Sequence, residues 1–290
     1  MDAVTKRYNS ITLEAKPSIF TAILYIFKRE MKIMFRYPSW FISLLIWPVL
    51  FPFGYIFTAK ALSGTSGKSL EVFAANAGTS DFTTYMIIGT TMWMWINMML
   101  WSFGGSLRQE QMRGTLESNW LCPVPKISLL LGYSVSQLVV SLVYIIVAVL
   151  EFKLIYNFDF VGNPLLALLV ILLSIPPIYG IGFIFASLVM WAKEANSMVF
   201  LVRGIMSIFC GITYPIAVLP NWMSKVSNMI PLTYSIKALR AVVSSGSSIN
   251  DIKSDIFALI IFGIILMSAG ILAFLFTQKK VRDTGSLGHY

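Results

Sequence analysis

The stretch that decides the fold reads Gly211-x-x-Tyr214-Pro215-x-x-x-Leu219-Pro220-x-Trp222, followed by Pro231-Leu232-Thr233-Tyr234 and Ala238-Leu239-Arg240. Proline lacks the backbone donor, and its ring clashes with the preceding turn. Pro215, Pro220 and Pro231 therefore forbid one continuous helix here. The surrounding chain is nevertheless apolar over lengths that fit a bilayer. Irregular backbone at membrane depth survives only where protein buries it or where it lines a water-filled space.

Composition agrees with a membrane setting. Hydrophobic residues make up 57% of the 290, charged residues only 12%, and the mean hydropathy is +0.76. Soluble domains carry about 25% charged residues, so the chain reads as a polytopic, all-α membrane protein. The excess of 22 Lys+Arg over 13 Asp+Glu does not point to nucleic acid, because no basic cluster stands apart from an apolar span. Cys122 and Cys210 fall on different levels of the topology below, which argues against a disulfide. The N-terminus is polar and holds no apolar core of signal-peptide type before residue 19.

Six stretches are apolar enough to be read as spans, near 39–59, 82–106, 127–150, 164–190, 198–217 and 255–277. With both termini inside, Lys and Arg number 14 in the inner segments and 7 in the outer ones. The positive-inside rule thus predicts cytoplasmic termini and a multi-pass protein of the cell (plasma or inner) membrane. The domain plan has a cytosolic N-terminus with an interfacial helix (1–38) and a six-span unit (39–277). A cytosolic tail (278–290) follows. Within the spanning unit lie a cytosolic loop at 107–126 and an outer, broken, re-entrant helical element at 211–240.

Pro17–Arg36 is amphipathic. At 100° per residue Thr21, Tyr25, Lys28, Arg29, Lys32 and Arg36 share one arc, and Ile19, Phe20, Ile23, Phe27, Met31 and Met34 the other. Such a helix lies in the membrane interface. Glu30 falls within the apolar arc, where a carboxylate needs a partner. Two readings stand: a cation of another helix or subunit, or Glu30 snorkelling beside its neighbour Arg29.

Chemistry of its own is not legible. Gly64-Thr65-Ser66-Gly67-Lys68-Ser69 resembles a phosphate loop, but Leu62 stands where the first glycine is required, and no strand precedes it. The single histidine, His289, is in the tail, and no Cys/His set has metal spacing. Glu151, Lys153 and Asp159 read as a solvated rim. The chain is expected to have no catalytic residues, metal or cofactor of its own.

The loop at 107–126 contains Arg108-Gln109-Glu110-Gln111-Met112-Arg113-Gly114-Thr115-Leu116-Glu117, then Pro123, Pro125 and Lys126. Together with the broken segment at 211–240, this run resembles permease subunits of type-2 ATP-binding-cassette exporters, the drug, polysaccharide and teichoic-acid exporters. The resemblance covers nearly the whole chain, and both motifs fall at the expected place in the order of spans. It implies that Glu110, Arg113, Gly114, Thr115, Leu116 and Glu117 form a coupling helix docking on a separate ATP-binding subunit, which binds ATP and Mg. Lys193-Glu194 would make a smaller contact. It also implies that Arg29 and Glu30 of the interfacial helix take part in coupling.

Two polar stripes lie inside the spans: Thr90, Trp93, Asn97, Trp101 and Gly104 in the second, and Asn196, Phe200, Arg203, Ser207, Cys210 and Tyr214 in the fifth. Polar groups at this depth face a bundle or a cavity, or bond neighbouring helices. The resemblance implies that these two spans line a translocation route, which makes Trp93, Asn97, Ser207 and Tyr214 pathway residues. Arg203, early in the fifth span, reads as an anchor near the cytosolic face. Gly211, Pro215, Leu219, Pro220 and Pro231 would form an outer gate, with Trp222 and Tyr234 at the interface and Arg240 as an outer-surface anchor. Ile212-Thr213 is less bulky than the pair usual in the family, which bears on the width of that gate. Pro48, Pro52, Pro176 and Pro177 mark kinks, and Gly180 and Gly182 close packing.

The expected assembly is a homodimer of this permease with two ATP-binding subunits in membrane lipid. It would export an amphiphilic drug-like, peptide or lipid-like substrate. The alternatives are a polysaccharide or teichoic-acid exporter and a non-transporting membrane scaffold.

Overall fold

A computed structural model describes residues 18–63, 68–79, 81–156, 160–192 and 196–283. The phosphate-loop-like Gly64–Gly67, Asp159, Lys193-Glu194 and His289 lie outside the described residues, as do the side chains of Leu116 and Glu117.

The regular secondary structure among the described residues is helical. α1 is Ile19–Arg36, α2 Ser39–Ser63, α3 Lys68–Ala77, α4 Phe82–Met112 and α5 Leu116–Leu121. α6 is Ile127–Tyr156, α7 Pro164–Ala192, α8 Asn196–Phe209, α9 Asn221–Ser227, α10 Pro231–Ser245 and α11 Lys253–Asp283. A short 3-10 turn, Ile216–Val218, sits between α8 and α9.

Among the described residues four helices are long and apolar enough to cross a membrane: Ser39–Thr58 of α2, Ile127–Tyr156 (α6), Pro164–Met190 of α7 and Lys253–Lys280 of α11. The second and fifth expected spans differ for separate physical reasons. α4 has 31 residues, ample length, but its Thr, Trp and Asn content lowers its hydropathy. It lies at the centre of the bundle, with Trp95, Met99, Leu100 and Phe103 almost wholly buried. A helix surrounded by protein has less need of a lipid-facing apolar surface. α8 is apolar but has only 14 residues, about 21 Å of helix against a core of about 30 Å.

α7 and α11 pack along each other through glycines. A Cβ on Gly180 would stand 2.4 Å from the Leu266 carbonyl carbon, and one on Gly270 would stand 2.6 Å from the Gly180 carbonyl oxygen. Such close backbone approach needs small residues. α7 continues as one helix through Pro176 and Pro177, and α2 through Pro48 and Pro52. α1 packs on α6, where a Cβ on Gly132 would lie 2.6 Å from the Ile26 Cβ.

Candidate functional site

Three regions gather the residues singled out by sequence. The first is a joint where α1, α4, α5 and α6 meet. α4 ends at Met112, and Gly114 follows with φ +67°. The Thr115 amide donates to the Glu110 carbonyl at 3.0 Å, the long bond of a Schellman end, in which glycine takes the left-handed residue. This accounts for the Gly-Thr order in local terms. The Thr115 hydroxyl donates to Glu110 Oε2 at 2.6 Å, and Asn119 Nδ2 donates to the same oxygen at 2.5 Å.

Glu110 Oε1 faces the opposite way, into the bundle. It accepts from Arg29 Nη2 of α1 at 2.7 Å and from the Tyr133 hydroxyl of α6. Arg29 Nη2 also donates to the Tyr133 hydroxyl at 2.6 Å, and its guanidinium lies 5.6 Å from that ring's centre. Glu30 accepts from Arg29 Nε at 3.0 Å and Nη2 at 2.9 Å. Of the two readings of Glu30, the structure has the pairing with Arg29. The interhelical ion pair exists as well, but runs from Arg29 to Glu110.

The Glu110 side chain is only 2% exposed, and its contacts are within the chain. Arg113 is more open and stands 4.0 Å away. Burial pushes the Glu110 carboxyl up. The hydrogen bonds from Thr115 and Tyr133 and the Arg29 and Arg113 charges outweigh burial and hold it below the ordinary carboxylate range. Burial pulls Arg29 down, but Tyr133, Glu110 and Glu30 together leave it raised. Tyr133 and Asn119 were missed from sequence. A tyrosine in an apolar helix and an asparagine in a polar loop carry no local signal of such a contact.

The second region is the broken segment. α8 stops at Phe209, and Gly211 takes φ +64°; a Cβ there would lie 2.8 Å from Ile216 Cγ1. Pro215 precedes the 3-10 turn, which Leu219 closes; Pro220 precedes α9, and Pro231 is the first residue of α10. Each proline thus sits where no helical N–H is needed. Broken helix ends leave carbonyls without intrahelical donors, and here Arg240 supplies them. Its Nη1 donates to Gly211 O and its Nη2 to Ile212 O, both at 2.7 Å. Nη2 and Nε donate to Tyr85 O of α4 at 3.1 and 3.3 Å. The guanidinium lies 3.3 Å from the Tyr85 ring centre. The expectation of an outer-surface anchor is corrected: Arg240 turns inward and clamps the broken backbone to α4. Gly89 permits that approach, since a Cβ there would stand 2.0 Å from Ile212 O. Trp222 is exposed, and the Tyr234 hydroxyl donates to Asn228 O at 2.9 Å.

The third region is a cleft of about 630 Å³ between α1, α2, α4 and α6, with Arg203 of α8 on its wall. Trp93 and Asn97 line it; Ser207 and Tyr214 do not. Ser207 donates to Gly204 O at 2.9 Å, and Tyr214 donates to Ile208 O. Trp93 stacks on Phe51 at 4.7 Å. Arg203 is not set toward one end of the bundle as expected. Its guanidinium lies 5.0 Å from the Trp93 ring centre, level with the middle of α4. Cys122 is exposed and Cys210 buried, and both are free thiols. No group of metal-ligating side chains occurs among the described residues.

Among the described residues, a helical bundle with four helices of spanning length, a cleft with polar groups on its wall and a broken segment clamped to its central helix define a multi-pass membrane protein. A family model for the ABC-2 type transporter matches residues 21–243, and the chain belongs to that family. It has the character of a permease of an ABC transporter, in a family that normally works with ATP-binding subunits. No curated protein matches the chain.

Proposed function

We propose that the chain is the permease half of an ATP-driven exporter, working as a homodimer with two ATP-binding subunits that supply ATP and Mg. In this reading α4 provides the second of six crossings and α8 with the turn after it (198–217) the fifth, both termini are cytoplasmic, and the broken segment at 211–240 re-enters the membrane from outside as a gate. The cargo is an amphiphile of drug, peptide or lipid type.

The observation that carries the reading is the joint at Glu110. A lever that receives force from a partner must be fixed to what it moves. One carboxylate binds the turn and α5 through Thr115 and Asn119, α1 through Arg29, and α6 through Tyr133. Charge-assisted bonds are roughly twice as strong as neutral ones, so a push on α5 is carried into α1 and α6 instead of being absorbed by a flexible loop. Docking then falls to Arg113, which is open, together with Leu116 and Glu117 of the coupling run, and Glu110 serves as the pin. Gly211, Pro215, Leu219, Pro220 and Pro231 form the hinge points of the gate, held against α4 by Arg240.

The test is Glu117→Lys in the chain co-expressed with its ATP-binding subunit. The complex is expected to dissociate or to hydrolyse ATP without transport, while the permease keeps its helical content. Unchanged transport removes the loop from this role.

A further inference from the structure

We propose that Arg203, Trp93 and Asn97 form a binding site for the anionic, phosphate-type headgroup of an amphiphile whose apolar part occupies the rest of the cleft. The proposal rests on the transport reading only for the statement that this molecule is cargo.

Arg203 is a cation level with the middle of α4. Ionisable groups at such depth face a bundle or a cavity and pair with something. Arg203 forms no salt bridge among the described residues. Its guanidinium rests on two rings instead, 5.0 Å from the centre of Trp93 and 5.6 Å from that of Phe200. Rings cover the face of the plane and leave its N–H edge to donate, and that edge fits the paired oxygens of a phosphate or carboxylate.

Three atoms here lack a partner: Arg203 Nε, Trp93 Nε1 and Asn97 Oδ1 are buried and make no hydrogen bond. Buried polar atoms are almost always satisfied, so three in one place mark a position for a ligand. Trp93 and Asn97 are one turn apart on α4 and share a face. Two are donors beside a positive charge, which selects an anion. The third belongs to an amide whose oxygen and NH₂ exchange by a flip, so it can accept from a hydroxyl of the anion or donate to its oxygen. A phosphate monoester headgroup offers both.

Trp47, Phe51, Met98 and Val140 give the wall apolar surface for a chain, while Ser102, Ser136 and Gln137 add polar groups beside it. Its volume of about 630 Å³ falls in the range of small-molecule sites. The cleft's carboxylate, Glu30, is held by Arg29 at the end near Glu110. That end lies roughly 25 Å along α4 from Trp93, so Glu30 does not neutralise Arg203.

The experiment measures binding of radiolabelled dodecyl phosphate to the full chain in phosphatidylcholine nanodiscs. Saturable binding is expected, displaced by unlabelled dodecyl phosphate but not by equal dodecyl maltoside or inorganic phosphate. Arg203→Gln is expected to weaken it about tenfold or more, and Arg203→Lys to fall between. Trp93→Phe and Asn97→Leu, which keep the charge, are expected to weaken it severalfold with unchanged circular dichroism; they decide the matter if Arg203→Gln does not fold. Equal binding by folded variants overturns the proposal, as does displacement by dodecyl maltoside. Displacement by inorganic phosphate alone makes this a free-anion site and overturns the amphiphile. No binding by a chain whose partner ATPase still responds to neutral amphiphiles removes this site and leaves transport standing. Binding by a chain that never associates with an ATPase leaves the site and removes transport.

Discussion

Replacing Glu110 by Gln is the most informative single change in this protein. The substitution keeps the volume and one oxygen but removes the charge, and turns an NH₂ donor toward groups that also donate. On one side stand Arg29 and the Tyr133 hydroxyl, on the other the Thr115 hydroxyl and Asn119. Whichever way the amide settles, one pair of donors loses its acceptor. A hydrogen bond to a charged group contributes about 1.5–3 kcal/mol. Breaking a fully buried ion pair costs about 3–5 kcal/mol. The Arg29 side chain is 35% exposed and retains Glu30, so solvent screens its share and the cost settles near 2–3 kcal/mol. That loss is local to the joint. Amide hydrogen exchange at Thr115 and Asn119, bonded to the carbonyls of Glu110 and Thr115, should accelerate roughly 30- to 140-fold. Amides of α7 and α11 should be unaffected. Exchange at Thr115 and Asn119 within twofold of wild type would refute the claim that this carboxylate holds the joint.

Acid should act on the same joint. A depressed Glu110 pKa contributes stability present above its unfolded value near 4.5 and lost as pH falls through the folded value. Wild-type protection at Thr115 should therefore hold from neutrality to about pH 4.5 and then fall, whereas Glu110→Gln should show no such step. Arg240→Ala leaves the carbonyls of Gly211, Ile212 and Tyr85 without their donor; a loss of about 3 kcal/mol or more is expected, read as a lower thermal midpoint in detergent. Two glycines on α4 should behave oppositely: Gly89→Ala drives a methyl into Ile212 O and should abolish folded yield, whereas Gly105→Ala meets nothing within 4 Å and should be tolerated or slightly stabilising.

Features written into local backbone chemistry were legible in the sequence. Pro215, Pro220 and Pro231 can stand only at helix starts or breaks, and each does so. The amphipathic arc of α1 and the proline-closed helix α5 follow from spacing in the same way. Features made by contact between distant segments were not. The sequence suggests a single partner for Glu30, whereas in the structure Arg29 serves two carboxylates and a tyrosine. Arg240 reads as a surface charge because charge counting sees only sequence position. The signal available was the set of unsatisfied carbonyls that any broken helix leaves. The level of Arg203 is hidden for a related reason: position along a short helix does not fix it, whereas the ring of Trp93 on a neighbouring helix does. Six stretches read as spans, and among the described residues four helices are long and apolar enough to cross, because hydropathy reports contact with lipid and α4 is enclosed by protein, while α8 has only 14 residues.

The central claim is that this chain couples ATP hydrolysis in a partner to movement of an amphiphile. Its most direct test is ATP-dependent transport of a fluorescent amphiphile in proteoliposomes containing this chain and its co-purified ATP-binding subunit. ATP-dependent movement toward the face opposite the ATP-binding subunits is expected, abolished by Glu117→Lys. A purified, folded chain that never retains an ATPase subunit and supports no ATP-dependent movement would contradict it.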